Sequence, residues 1–116
     1  MSNLTPDSLL KAIAEPTRLR IVLLLQQYDE LCVCHLQDSL ELPQPNISRH
    51  LKTLREHDIV LDRREGQWVH YRLNPAMPAW ALQVIGGLAA GANKHDLLGQ
   101  LPASRQAASK PQSCDA

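Results

Sequence analysis

The spacing of apolar residues changes its period near Asp58, and this change constrains the fold of the 116-residue chain more than any other feature. Before it, Ile47, Leu51 and Leu54 are separated by four and three residues, which is the spacing of a buried helix face. After it, two runs rich in β-branched and aromatic residues flank Gly66, a pattern that predicts a β-hairpin. The sequence therefore predicts a helix that leads directly into a hairpin.

Four helices are predicted before the hairpin. Two of them are expected to start after Thr5 and Glu15, because each of these residues is followed by a proline, which suits the first helical position. A short helix is expected from Cys32 to Leu40 and another from about Gln44 or Pro45 to His57, since the prolines in the turn between them disfavour helix. With a fifth helix after the hairpin, these elements predict a mainly α (α+β) fold: a winged helix-turn-helix with a two-stranded β-hairpin wing.

The helix that precedes the hairpin is predicted to read DNA. An α-helix fits the major groove, where residues near its N-terminus reach base edges while basic groups hold phosphates. Lys and Arg outnumber acidic residues by six to four over residues 44–72, although the whole chain carries 12 of each. An ordinary solvated face explains the mixed charge of the helix equally well, and the adjoining hairpin favours DNA. The candidate DNA-binding residues are Gln44, Asn46, Ser48, Arg49 and Lys52 on the helix and Arg63 and Arg64 on the hairpin.

The fifth helix, predicted from Ala79 to about Ala90, is apolar on most of its sides. A helix of this kind has to be covered, and a second copy of the chain is expected to cover it. The composition then drifts towards Ala, Ser, Gln, Lys and Pro. Residues 1–91 are accordingly predicted to form one domain for DNA binding and dimerisation, and residues 92–116 a flexible tail.

Cys32 and Cys34 stand at the predicted start of a short helix and are the candidate metal-binding residues. Helix N-termini lower the pKa of thiols, and thiolates select soft ions. Residues two positions apart on an ideal helix point about 200° apart, so one ion reaches both sulfurs only if the first turn distorts. Three other interpretations stay open: the pair are small buried residues, they oxidise to a strained disulfide, or Cys114 or His35 adds a third ligand.

Other function classes find little support in the sequence. It contains no Cys-x-x-Cys pair, Gly-rich phosphate loop or paired catalytic acid and base, so an enzyme is not expected. A winged helix used only for protein contacts is the alternative to one that binds DNA.

Neither a signal peptide nor an apolar run of about 20 residues is recognisable, so a cytoplasmic protein without a membrane partner is expected. His50 and His57 are expected to pack or cap, and His35 to lie on a helix surface.

Three segments resemble the ArsR/SmtB family: residues 30–36 (ELCVCHL), 44–51 (QPNISRHL) and 66–73 (GQWVHYRL). The resemblance covers roughly residues 9–90. It implies a homodimeric winged-helix repressor, with its first and last helices at the dimer interface, that binds double-stranded operator DNA. It also implies that the inducer, arsenite or antimonite, releases the DNA by binding to Cys32 and Cys34, that the helix from Gln44 is the reader, and that no cofactor is required.

The chain departs from the family pattern at one position of the thiol site. Some members carry a third cysteine where this chain has Gln37. The resemblance then implies binding by two thiolates, completed by Cys114, an external thiol or hydroxide. The cadmium and lead sensors of the family also use N-terminal cysteines, but no cysteine precedes Cys32 in this sequence. The zinc sensors use Asp and His ligands on the last helix, whereas residues 79–90 contain no His, Asp or Glu.

Overall fold

The structure is a computed structural model and describes residues 4–95. Within these residues, five helices and three strands follow one another in the order α1 Pro6–Ile13, α2 Pro16–Tyr28, β1 Glu30–Cys32, α3 Val33–Leu40, α4 Gln44–Glu56, β2 Val60–Glu65, β3 Trp68–Leu73 and α5 Ala79–His95. The strands form one antiparallel sheet in the order β1-β3-β2. This architecture confirms the predicted winged helix-turn-helix. Cys114 and most of the predicted tail lie outside the described residues.

The first two helices begin where the sequence predicts. The hydroxyl of Thr5 accepts a hydrogen bond from the backbone N–H of Ser8, at 3.2 Å. The carboxylate of Glu15 accepts from the N–H of Arg18 in the same way, at 3.0 Å. Each cap satisfies an N–H group that has no partner within its helix, and a proline occupies the first helical position after it.

The sheet has one strand more than the predicted two-stranded wing. Residues Glu30–Cys32 form β1, which pairs with β3 so that Leu31 lies opposite Tyr71 and Cys32 opposite His70. A strand of three residues is too short for its alternation to be recognised in a sequence. The third helix consequently begins at Val33, one residue later than predicted. The wing itself is the expected hairpin of β2 and β3, and Gly66 adopts the positive φ of 62° that its tight turn requires.

An aliphatic core joins the two helices of the helix-turn-helix to the rest of the domain. Its fully buried members include Leu36 of α3 and three residues of α4, Ile47, Leu51 and Leu54. Glu41 ends α3 in a left-handed conformation with φ of 56°, and residues 41–43 form the turn that leads into α4. Helices α3 and α4 therefore share one core and one short turn.

The last helix is longer than predicted and leaves apolar side chains exposed. It continues past Ala90 to His95 and buries Ala81, Ile85, Ala89 and Ala92 against the domain. Among residues 4–94, four large apolar side chains are exposed, three on α5 and one on α1: Leu82, Val84, Leu88 and Leu10. Among residues 4–95, no helix is long and apolar enough to cross a membrane.

Candidate DNA-reading surface and thiol site

Helix α4 presents a polar face away from the core. Because Ile47, Leu51 and Leu54 are buried, the helical period turns Arg49 and Lys52 outwards, and both are exposed. Near the start of the helix, the exposed amide of Gln44 donates to the hydroxyl of Ser48. Asn46 and Ser48 are partly buried. The structure thus brings the five predicted helix residues together on the first two and a half turns of α4.

Neighbouring elements hold α4 in its orientation. On one flank, Nη1 of Arg18 in α2 lies 3.2 Å from Nδ1 of His50, and Oε2 of Glu15 lies 3.6 Å from the same nitrogen. At its C-terminal end, Nδ1 of His57 lies 2.9 Å from the carbonyl oxygen of Thr53. The prediction that both histidines pack or cap is confirmed. Residues 15–18 therefore link α2 to α4.

The two arginines of the wing differ in their surroundings. Arg63 donates two hydrogen bonds to the carboxylate of Glu30 in β1, at 2.6 and 3.2 Å, and its Nη1 lies 3.7 Å from Glu65. The guanidinium of Arg63 lowers the pKa of Glu30, because it stabilises the ionised carboxylate. Arg64 lies on the other face of the hairpin, is exposed, and has no ion pair within residues 4–94.

We expect Arg64→Ala to weaken duplex DNA binding more than Arg63→Ala, since a phosphate has to compete with Glu30 for the guanidinium of Arg63. The slope of log affinity against log salt should fall by about 1 for Arg64→Ala. For Arg63→Ala the slope should stay close to that of the unmodified chain. Fluorescence anisotropy at several salt concentrations measures both slopes, and an equal loss for the two variants would contradict this ranking.

The sulfurs of Cys32 and Cys34 lie 3.1 Å apart. Cys32 is the last residue of β1 and has extended backbone angles, φ of −88° and ψ of 167°, whereas Cys34 lies in the first turn of α3. The expectation that the two side chains point about 200° apart is therefore wrong, because it assumed that both residues are helical. The strand-to-helix junction brings both sulfurs to one point without distortion of α3. Cys32 is buried, while Cys34 is partly exposed and gives access to the pair.

His35 lies beside this pair rather than on the helix surface, where it was expected. It is 3% exposed, and its Nδ1 lies 3.4 Å from the sulfur of Cys32 and accepts from the backbone N–H of Cys32 at the same distance. Burial lowers the pKa of His35; the carboxylate of Asp38 opposes this effect and the nearby His70 adds to it. The ring is thus favoured in its neutral form.

His70 is the residue near the site that sequence reasoning missed. It lies opposite Cys32 in the register of the sheet and is 2% exposed. Only the pairing of β1 with β3 brings His70 opposite Cys32. His70 follows Cys34 by 36 residues, and no local sequence pattern relates the two positions. Over the part of the chain that the structure describes, no three His, Cys, Asp or Glu side chains form a metal cluster. The two sulfurs are therefore the core of the candidate site.

Helix α4, the short helix α3 before it and the β2–β3 hairpin after it form a winged helix-turn-helix. The profile of the family described as "Bacterial regulatory protein, arsR family" matches residues 15–61. The chain is 56% identical over 85 residues to the arsenical resistance operon repressor of Escherichia coli, and the alignment covers 73% of each protein. It is 52% identical over 85 residues to an arsenic resistance transcriptional regulator of Pseudomonas putida, covering 73% of this chain and 66% of the relative.

Solved structures agree with these sequence comparisons. HlyU from Vibrio cholerae superposes with a TM-score of 0.63 at 38% identity, covering 72% of this chain and 86% of HlyU. The chain belongs to the arsR family of bacterial regulatory proteins. It is a regulator of transcription and not an enzyme, as predicted.

Proposed function

We propose that the chain is a metalloid-responsive repressor that binds operator DNA as a homodimer and releases it when trivalent arsenic or antimony binds to Cys32 and Cys34. The observation that carries the proposal is the 3.1 Å contact between the two sulfurs at the start of α3, the helix that leads into the reading helix. The names of the two relatives, an arsenical resistance repressor and an arsenic resistance regulator, support the choice of inducer.

The donor atoms suit a trivalent metalloid. Sulfur is a soft ligand and selects soft ions, and two adjacent thiols replace two hydroxyl groups of arsenous acid. Cys34 lies in the first turn of α3, at the positive end of the helix dipole. Because Cys32 belongs to β1 and Cys34 to α3, a bound ion cross-links a strand to a helix.

Such a cross-link acts on DNA binding through α3 and α4. Bound arsenic fixes the angle between β1 and α3, and the core shared by α3 and α4 passes this constraint to α4, since residues 41–43 form a short turn between the two helices. An effective switch requires a coupling free energy of about 1–3 kcal/mol or more between inducer and DNA. In a dimer the same constraint acts on both reading helices, so contacts at both half-sites of the operator are weakened.

Dimerisation is supported by the apolar residues that the single chain leaves exposed. Leu82, Val84 and Leu88 of α5 and Leu10 of α1 are between 37% and 58% exposed. A second copy that packs on these helices removes this apolar surface from water. A two-fold dimer then places its reading helices in major grooves about one helical turn apart.

A repressor of the same fold that responds to thiol oxidation, or to another soft metal, is the alternative. Contact between the sulfurs of Cys32 and Cys34 suits oxidation of the pair as well as binding of one ion. Release of operator DNA by peroxide but not by arsenite would favour this alternative. Release by arsenite under a phosphine reductant would favour the metalloid sensor.

The DNA-binding part of the proposal is tested with the reduced protein and a duplex from the region upstream of its own coding sequence. We expect specific binding about 10³-fold or more above that to a scrambled duplex of equal length, with affinity that falls steeply as salt rises. Addition of arsenite or antimonite should lower the affinity for the specific duplex. Equal affinity for the two duplexes, with no salt dependence, would instead indicate a winged helix that makes protein contacts.

A further inference from the structure

A buried imidazole faces the thiol site and has no use in the proposed function. His70 pairs with Cys32 across β3 and β1, and directly opposite residues of antiparallel strands point to the same face of the sheet with Cβ atoms about 5 Å apart. Neither ring nitrogen of His70 has a hydrogen-bond partner within residues 4–94, although the residue is 2% exposed. Buried polar atoms are nearly always hydrogen-bonded in folded proteins. The ring nitrogens of His70 therefore indicate a ligand that supplies the missing hydrogen bond.

The surroundings of His70 decide which nitrogen is available. Oε1 of Glu65 lies 3.4 Å from Nε2 of His70. Arg63 lies opposite His70 on β2. Its guanidinium forms an ion pair with Glu30 and lies 3.7 Å from Glu65. His35 is the other imidazole near this face. A neutral imidazole carries one donor and one acceptor nitrogen. In the tautomer with its proton on Nε2, beside the carboxylate of Glu65, Nδ1 is a hydrogen-bond acceptor.

When two thiols bind arsenous acid, one of its three hydroxyl groups remains on arsenic and has to fit into the site. Arsenous acid, As(OH)₃, reacts with the thiols of Cys32 and Cys34 to form two As–S bonds and release two molecules of water. No electrons are transferred, and one hydroxyl stays on arsenic. Gln37 cannot replace this hydroxyl, because a side-chain amide is a poor ligand for a soft ion.

We propose that Nδ1 of His70 accepts a hydrogen bond from the hydroxyl that remains on arsenic when Cys32 and Cys34 are its two sulfur ligands. This inference rests on the proposed function and names the third contact of the same site. His70 thereby makes the site specific for a trivalent metalloid that keeps a hydroxyl, and it acts as a positioning residue rather than as a ligand to arsenic.

Two arsenicals separate this role from a merely structural one. Phenylarsonous acid, C₆H₅As(OH)₂, also forms two As–S bonds and releases two waters, but it keeps a phenyl group in place of the hydroxyl. Calorimetric titration of the reduced full-length protein with arsenite and with phenylarsonous acid gives the ratio of the two affinities. For His70→Phe we expect arsenite affinity to fall about 3- to 10-fold relative to that for phenylarsonous acid. His70→Gln retains a hydrogen-bond acceptor and should restore part of the ratio.

Val69→Ala is the matched control, since Val69 is the neighbour of His70 on the other face of β3 and should leave the ratio unchanged. An unchanged ratio in His70→Phe, whether both affinities fall together or neither falls, would overturn the role of His70 and leave the thiol site intact. If the unmodified chain binds neither arsenical, the proposed function itself fails.

Discussion

Cys32→Ser and Cys34→Ser are each expected to retain operator binding and to lose its release by arsenite. Serine has nearly the same size as cysteine, so the junction of β1 and α3 keeps its shape, but a hydroxyl is a poor ligand for trivalent arsenic. In the unmodified chain, saturating arsenite should weaken operator binding by about 5- to 150-fold or more, the range of a coupling of 1–3 kcal/mol. In each variant this factor should be close to one.

Anisotropy of a labelled operator duplex, titrated with protein in the presence and absence of arsenite, measures the factor directly. Cys114→Ser serves as the control for removal of a thiol, because it leaves the adjacent pair in place. If either Cys32→Ser or Cys34→Ser still releases the duplex as the unmodified chain does, the assignment of the ligands is wrong. A loss of release in Cys114→Ser would instead assign Cys114 as the third ligand.

Loss of the apolar surface of α5 should have the second large effect. Val84 and Leu88 lie one turn apart and are each more than a third exposed. In Val84→Glu/Leu88→Glu, two carboxylates would have to be buried in the proposed dimer interface, where unpaired charges cost several kcal/mol. We expect the variant to be monomeric in sedimentation equilibrium and its operator affinity to fall by at least about 100-fold, because only one half-site contact remains.

A matched variant, Gln26→Glu/Gln27→Glu, adds the same charge at exposed positions of α2. It should remain dimeric and bind the operator within a few-fold of the unmodified chain. Circular dichroism of both variants checks that the helices are retained. A folded Val84→Glu/Leu88→Glu variant that still dimerises would place the interface elsewhere.

Features that depend on local chemistry could be predicted from the sequence. Capping residues and prolines marked the starts of α1 and α2, and the apolar spacing of Ile47, Leu51 and Leu54 determined which face of α4 is exposed. The change of period near Asp58 located the wing. The end of α5 was less predictable, since its alanines and glycines continue past Ala90 without a stop signal.

Features that depend on pairing between distant segments could not be predicted. A three-residue β1 has no recognisable period, and without it Cys32 was assigned to a helix, which led to the wrong geometry for the sulfur pair. The bond from Arg63 to Glu30 and the place of His70 opposite Cys32 follow from the same strand pairing. One short strand therefore determines most of the candidate site.

Control of DNA binding by arsenic at the sulfur pair can be measured by titrating a preformed complex of operator duplex and reduced protein with arsenite. Anisotropy reports release while bound arsenic is counted on the same samples after rapid gel filtration. We expect release to be complete when one arsenic is bound per chain. Occupancy of one arsenic per chain with the duplex still bound would contradict it.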